Sequence, residues 1–287
     1  MVPSLSPVTI GGAPENLRDY VALAEQSGFG GIEVDMGSVI RAADESSWDA
    51  VKALFEQLAI APASTGLPVE WRKDDSMFEE SLAKLPAYAK AAQQVGCRRI
   101  CTWLPPAVND DPKEFRQKCV GRFRKVAEML GDYALRLGLE FVGPKTLRSG
   151  PKAMGASEFI YTIPQTLALI DDIDARAGNV GLLVDSFHWF CTGSKVDELA
   201  GLSPKQIVHV HINDAPDVPV DDQIDNQRLL PGDGVIDLRT FLGSLSKAGF
   251  RDFVAVETFN KELTSLGRER AAEKAGAAME KIFGNPG

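Results

Sequence analysis

The chain has 287 residues, 44% of them apolar, with a formal charge of −9 and a pI near 5.0. That acidic balance argues against nucleic acid as a partner, since its binders present a basic face; no apolar run approaches the ~18 residues of a membrane span, and nothing at the start has the build of a secretory leader. The four cysteines, Cys97, Cys101, Cys119 and Cys191, include no C-x-x-C pair, so reduced thiols in a cytoplasmic protein are expected.

Taken in order, LSPVTIGG from Leu5 reads as a first strand closed by a glycine pair, and Pro14 then opens a helix through Leu17, Val21 and Ala24 that stops at Gly28. GGIEVD is a second strand. Ser46 with Asp49 predicts a helix cap, with Trp48, Val51, Phe55 and Leu58 on one face behind it. IAPASTG is a third strand, followed by a polar loop carrying Trp71. Ser76 with Glu79 predicts the next cap, and Pro86 predicts a kink in the helix that follows. RRICTW is a fourth strand. Pro112 starts a long helix through Phe115, Phe123 and Leu130 to Leu137, where Gly138 ends it.

LEFVG is the fifth strand, ending near Glu140. A long polar loop from Gly143 to Ile160 is a candidate active-site loop. Pro164 begins a helix ending at Gly178. GLLVD and IVHVHI are strands six and seven, with a short helix near Asp197 to Leu199 between them. A second long loop, Asp214 to Asp237, holds Arg228 and a PGDG turn. A helix through Leu238, Phe241 and Leu245, the strand FVAVE and an alanine-rich helix from Lys261 to Phe283 complete the chain. Short apolar runs alternating with amphipathic helices imply parallel strands with helical crossovers. Eight such units, with no G-x-G-x-x-G after the first strand and no linker-like stretch, predict one closed (β/α)8 barrel spanning residues 1–287.

In such a barrel, chemistry is placed at the carboxyl ends of the strands. The last four strands end near Glu140, Asp185, His211 and Glu257, and His211 is one of only three histidines. Three carboxylates and one imidazole form a donor set for a divalent cation, better matched to Mn²⁺, Mg²⁺ or Co²⁺ than to a thiolate zinc site. Alternation puts His209 on the same side as His211 but one layer deeper, the place of a packed or supporting residue. Lys145 and Arg228 lie in the two long loops over the mouth, where a hydroxyl, carboxylate or phosphate would be read. Trp71 and Trp103 fall near the ends of strands three and four, suited either to a flat wall for a sugar face or to packing under a loop. Glu33 is open between a polar core residue and a sugar contact. The PGDG turn is weak evidence for a phosphate cradle, because such turns are common.

The segments LEFVGPKTLR, LLVDSFHW, VHVHINDAP, R-L-L-PGDGVID and VAVETF resemble the sugar phosphate isomerase/epimerase family of xylose isomerase-like barrels, over nearly the whole chain and most strongly across the last four strands. The resemblance implies one divalent metal ion (manganese favoured, with magnesium, cobalt or zinc as alternatives) held by Glu140, Asp185, His211 and Glu257. It further implies that Glu140 and Glu257 double as proton-transfer groups and that His188 and Arg228 contact substrate, with Lys145 as a third candidate from the loop. The implied partner is a small sugar or polyol, and a homodimer is allowed. Two activities fit: isomerisation or epimerisation of a ketose or keto-cyclitol through an enediolate, or dehydration of a keto-polyol such as an inosose or a dehydroshikimate-like compound, which shares the first proton abstraction. A phosphodiesterase of the endonuclease branch would need several metals and more histidines.

Overall fold

The computed structural model describes residues 1–284, and its frame is a set of short runs whose apolar side chains, Val2 and Trp103 apart, are largely hidden on both faces. These are β1 (Val2–Leu5), β2 (Gly31–Glu33), β3 (Ala61–Gly66), β4 (Arg99–Leu104), β5 (Arg136–Phe141), β6 (Val180–Asp185), β7 (Ile207–Ile212) and β8 (Phe253–Val256). Every residue of β6 and β7 is buried, which is why they read as continuous apolar runs rather than as alternating ones. Among the described residues the eight strands close into a barrel in the order β1-β8-β7-β6-β5-β4-β3-β2. All these neighbours pair in parallel, so every carboxyl end opens on the same face. A two-stranded antiparallel ribbon of Ala107–Val108 with Ser157–Glu158 ties the long loop after β5 to the loop after β4.

Register then decides which side chains meet. Asp185 pairs with His211 across β6 and β7, Ala255 pairs with His211 across β7 and β8, and Trp103 pairs with Glu140 across β4 and β5. Two irregularities interrupt the ladder, one at Ile32/Glu33 against β3 and one at Leu182/Leu183 against β7.

Several local expectations shift. The first strand lies earlier than LSPVTIGG: β1 is Val2–Leu5, and Pro7–Ile10 forms a single 3-10 turn, because Pro7 has no N–H for the ladder. The first helix is capped by Asn16 and begins at Leu17, three residues after Pro14. Ser47 rather than Ser46 caps the helix Trp48–Gln57, and Asp74 rather than Ser76 caps Asp75–Leu82. In each case a neighbouring residue that also bears a capping oxygen reaches the open amides. A helix Met36–Glu45, capped by Asp35, was not anticipated. Pro86 separates two helices, Asp75–Leu82 and Leu85–Gln94, by sitting in the first turn of the second instead of kinking one. The long helix stops at Gly131, and Leu137 and Gly138 belong to β5. The tail divides into Lys261–Thr264 and Arg268–Phe283 around Gly267, whose φ of 87° suits glycine.

Candidate metal centre

Four strand ends converge at the barrel mouth. Glu140 is on β5, Asp185 closes β6, His211 is on β7 and Glu257 follows β8. One ligand atom from each lies within 4.8 Å of all the others. His211 Nδ1 stands 3.3 Å from Glu140 Oε1, 3.2 Å from Glu257 Oε2 and 3.9 Å from Asp185 Oδ2.

Each side chain is held by local structure. Asp185 is both the last residue of β6 and the cap of the helix Ser186–Cys191, so its Oδ1 accepts from His188 N at 2.9 Å and its Oδ2 is turned to the centre. There Oδ2 accepts from Asn213 Nδ2 at 2.8 Å and from Arg228 Nη1 at 3.1 Å. The same Asn213 amide reaches the Glu257 carbonyl at 3.1 Å, joining β6 to β8 behind His211. Gly143, just past β5, lets that loop lie against the helix Ser186–Cys191: a Cβ there would stand 2.2 Å from the His188 carbonyl oxygen.

The residues fit a cation on their own chemistry. Glu140 Oε1 and His211 Nδ1 are buried and have no hydrogen-bond partner, although a buried polar atom normally has one. Both orphans point at the same small volume, with oxygen atoms of two further carboxylates beside them. The electrostatics of the four are divided. Burial pushes the Glu140 carboxyl up, whereas at Glu257 burial is outweighed by His211 and Arg228, which hold that carboxyl below its ordinary range. His211 is pulled well above the usual imidazole range despite its burial, by Glu257, Glu33 and Glu140 around it.

Arg228 is 2% exposed, a depth at which a guanidinium needs carboxylate partners. It donates to Asp185 Oδ2 at 3.1 Å, Glu257 Oε2 at 2.9 Å and Asp225 Oδ1 at 2.6 Å, and through Nη2 to His188 Nε2 at 3.1 Å. Phe187 and Phe259 cover its faces. His188 therefore belongs to the same buried network. Lys145 does not join it: its ammonium is half-exposed and pairs with Asp221, tying the short helix Lys145–Arg148 to the loop after β7. A lysine ammonium is strongly hydrated, so a rim position facing an acidic loop is its natural place.

A cavity of about 470 Å³ opens between this centre and the β1–β4 side, lined there by Pro7, Val8, Leu67, Pro68, Tyr88 and Trp103. Trp103 is 38% exposed and forms part of this wall. Trp71 is fully buried, packs on Phe123 and donates through Nε1 to Thr102, so it supports the loop from beneath. Cys101 also lines the cavity, but burial pushes its thiol far up, as it pushes Cys97 to about 12, and neither is a thiolate nucleophile. The PGDG turn faces a carboxylate of the chain itself: the amide of Gly232, with that of Ile236 two residues past the turn, is taken by Asp214 at 2.9 and 2.8 Å.

Glu33, open in the sequence, meets His209, which alternation placed as a packed or supporting residue, with His209 Nε2 2.9 Å from Glu33 Oε1. Two participants, Asn213 and Asp225, were missed. Asn213 lies two residues beyond His211, and alternation was a usable signal for it. Asp225 lies in an irregular loop, where no spacing marks it.

Residues 21–282 match the model of the xylose isomerase-like TIM barrel family, and the chain belongs to that family. It is 25% identical over 272 residues to an inosose isomerase of Bacillus velezensis, covering 93% of this chain and 92% of the relative. Among solved structures, a xylose isomerase domain protein from Alicyclobacillus acidocaldarius superposes with a TM-score of 0.87 at 32% identity, over 99% of this chain and 98% of the other. The IolI protein with a bound zinc atom superposes with a TM-score of 0.80 at 25% identity, over 98% of each chain.

Proposed function

We propose that this protein is a divalent-metal-dependent enzyme that isomerises or epimerises a small ketose, keto-cyclitol or related polyol by proton transfer next to its carbonyl. The observation that carries the reading is the gathering of Glu140, Asp185, His211 and Glu257, from four successive strands, within 4.8 Å of one another at the mouth of the barrel. Similarity to an inosose isomerase along nearly the full length of both chains supports the substrate class.

Glu140, Asp185, His211 and Glu257 would hold the cation. When bound it supplies Lewis-acid stabilisation of the negative charge that develops on a carbonyl oxygen during enolisation. Manganese is favoured for a set of three carboxylates and one imidazole; the IolI relative holds zinc. Glu140 and Glu257 are the proton-transfer pair. They come from β5 and β8, with β6 and β7 between them, and so approach a substrate from two directions. One removes the proton from the carbon beside the carbonyl, and the other returns a proton on the far side or to the neighbouring carbon. His188 and Arg228, the substrate-binding positions that the resemblance implies, stand behind the four ligands and outside the cavity lining, where Arg228 holds Asp185 and Glu257 in place. The apolar wall of Pro7, Leu67 and Trp103 receives the C–H face of the substrate. Among the described residues no lysine or arginine lines the cavity. A substrate without phosphate or carboxylate therefore suits it best.

Incubating the Mn²⁺-loaded enzyme with neutral ketoses, keto-cyclitols and their phosphates in D₂O tests this. Deuterium beside the carbonyl in recovered substrate and isomer is expected for a neutral compound, with exchange falling by roughly 10²–10⁴-fold in Glu140→Gln and Glu257→Gln. Loss of water with new ultraviolet absorbance would assign the chain to the lyases instead. Absence of exchange across the whole set would remove the reading.

A further inference from the structure

Glu33 stands outside the group of four, yet a single oxygen of its carboxylate is shared by three side chains. Its Oε1 accepts from Ser64 Oγ at 2.8 Å and lies 2.9 Å from Nε2 of both His209 and His211. His211 thus has a carboxylate on each side of its ring. Nε2 faces Glu33, while Nδ1, 3.2 and 3.3 Å from Glu257 and Glu140, makes no hydrogen bond at all.

The backbone is irregular at the two places that build this contact. The register shift between Ile32 and Glu33 sets Glu33 opposite Ser64, and the shift between Leu182 and Leu183 sets His209 opposite Leu183 and His211 opposite Asp185. Unshifted, Asp185 would pair with Val210, and the imidazole would be displaced from the carboxylates. Bulges of this kind re-aim side chains next to active sites.

We propose that Glu33 is the positioning residue for His211, an inference that rests on the metal-centre reading above. By accepting the Nε2–H it fixes the ring plane and the tautomer, so that the lone pair of Nδ1 is presented to the cation. Ser64 and His209 converge on the same carboxylate oxygen and keep the carboxylate itself from turning. A carboxylate behind a ligating histidine orients the ligand and raises its basicity. The competing reading treats Glu33, His209 and His211 as a second cation site, since their ligand atoms are also within 4.8 Å of one another. Against it, both Nε2 atoms already sit at hydrogen-bond distance from Glu33, whereas the orphaned atoms lie on the other side of the His211 ring.

The test uses the full chain labelled with ¹⁵N-histidine, loaded with Zn²⁺, and compares wild type with Glu33→Gln, which preserves the shape of the side chain. Chelator competition is expected to give one ion per wild-type chain and an affinity about 10–100-fold lower in the variant. In the spectrum of the loaded wild type, His211 should be bound through Nδ1 and carry its proton on Nε2, and the variant should lose that single tautomer. The wild-type spectrum decides even when the variant does not fold: His211 bound through Nε2 overturns the proposal. So does an unchanged affinity and tautomer in the variant, or two ions per wild-type chain falling to one in Glu33→Gln, which would make Glu33 a ligand. A wild-type chain that takes up no cation removes the metal-centre reading and this inference with it, whereas the other three outcomes sink the inference alone.

Discussion

Strands β5 to β8 and strands β1 to β4 share the barrel wall equally, but they line its mouth with different chemistry. On the β5–β8 side, Glu140, Asp185, His188, His211 and Arg228 are all at most 8% exposed and are linked through Asn213 and Asp225 into one polar network. On the β1–β4 side proline, leucine, valine and tryptophan share the cavity wall with the small hydroxyl residues Ser6, Ser64, Thr65 and Thr102, and the charges there are Glu33 and Asp35. Partners in the first half are interdependent, because each buried charge is tolerable only while its neighbours remain. The second half is a surface that gives shape, and its members act almost separately. A substitution in one half should therefore unravel a network, and in the other it should only change a fit.

Arg228→Ala is expected to have the largest effect on the fold. It leaves Asp185, Glu257 and Asp225 without their shared donor in a dry environment, and should cost about 3–5 kcal/mol in urea unfolding. Arg228→Lys should not recover that loss, since an ammonium cannot span three carboxylates and His188 with a planar fork. A loss below ~1 kcal/mol for Arg228→Ala would mean the two halves do not differ in the way described.

Trp103→Ala should act on fit alone. The indole is partly exposed and stacks on the Arg72 guanidinium, 3.9 Å from its ring centre, as part of the wall. Its removal should raise KM about fivefold, corresponding to roughly 1 kcal/mol, while kcat and melting temperature stay nearly constant. An equal fall in kcat would place Trp103 in the transition state rather than in the wall. Lys145→Ala should do least: its pair with Asp221 is exposed, so stability should change by less than ~1 kcal/mol and kcat/KM by less than about twofold. A tenfold drop in kcat/KM would bring the loop lysine back to the substrate.

The legibility of the two halves follows the same division. Glu140, Asp185, His211 and Glu257 were readable because each interrupts or ends a buried apolar run, where a charge has few explanations. Arg228 was noticed as a loop residue, but its depth was invisible: a loop arginine in an acidic chain has the same sequence signature whether exposed or buried. The roles of Trp71 and Trp103 were interchangeable until packing on Phe123 hid one and left the other at the cavity. The capping errors at Ser46 and Ser76 have a local cause, since residues one or two positions away offer equivalent oxygens and only the chain's approach to the helix selects one.

Sequence by itself determined the alternation of strand and helix, the number of units and the end of the barrel where acids gather, because each is written in periodicity over ten or twenty residues. Only tertiary structure decided what Glu33 is for and which group His209 supports. They lie 176 positions apart, and their meeting depends on two register shifts between strands that no local pattern announces. A bulge is a property of a pair of strands, set by how both fit around the barrel, and neither strand carries it alone.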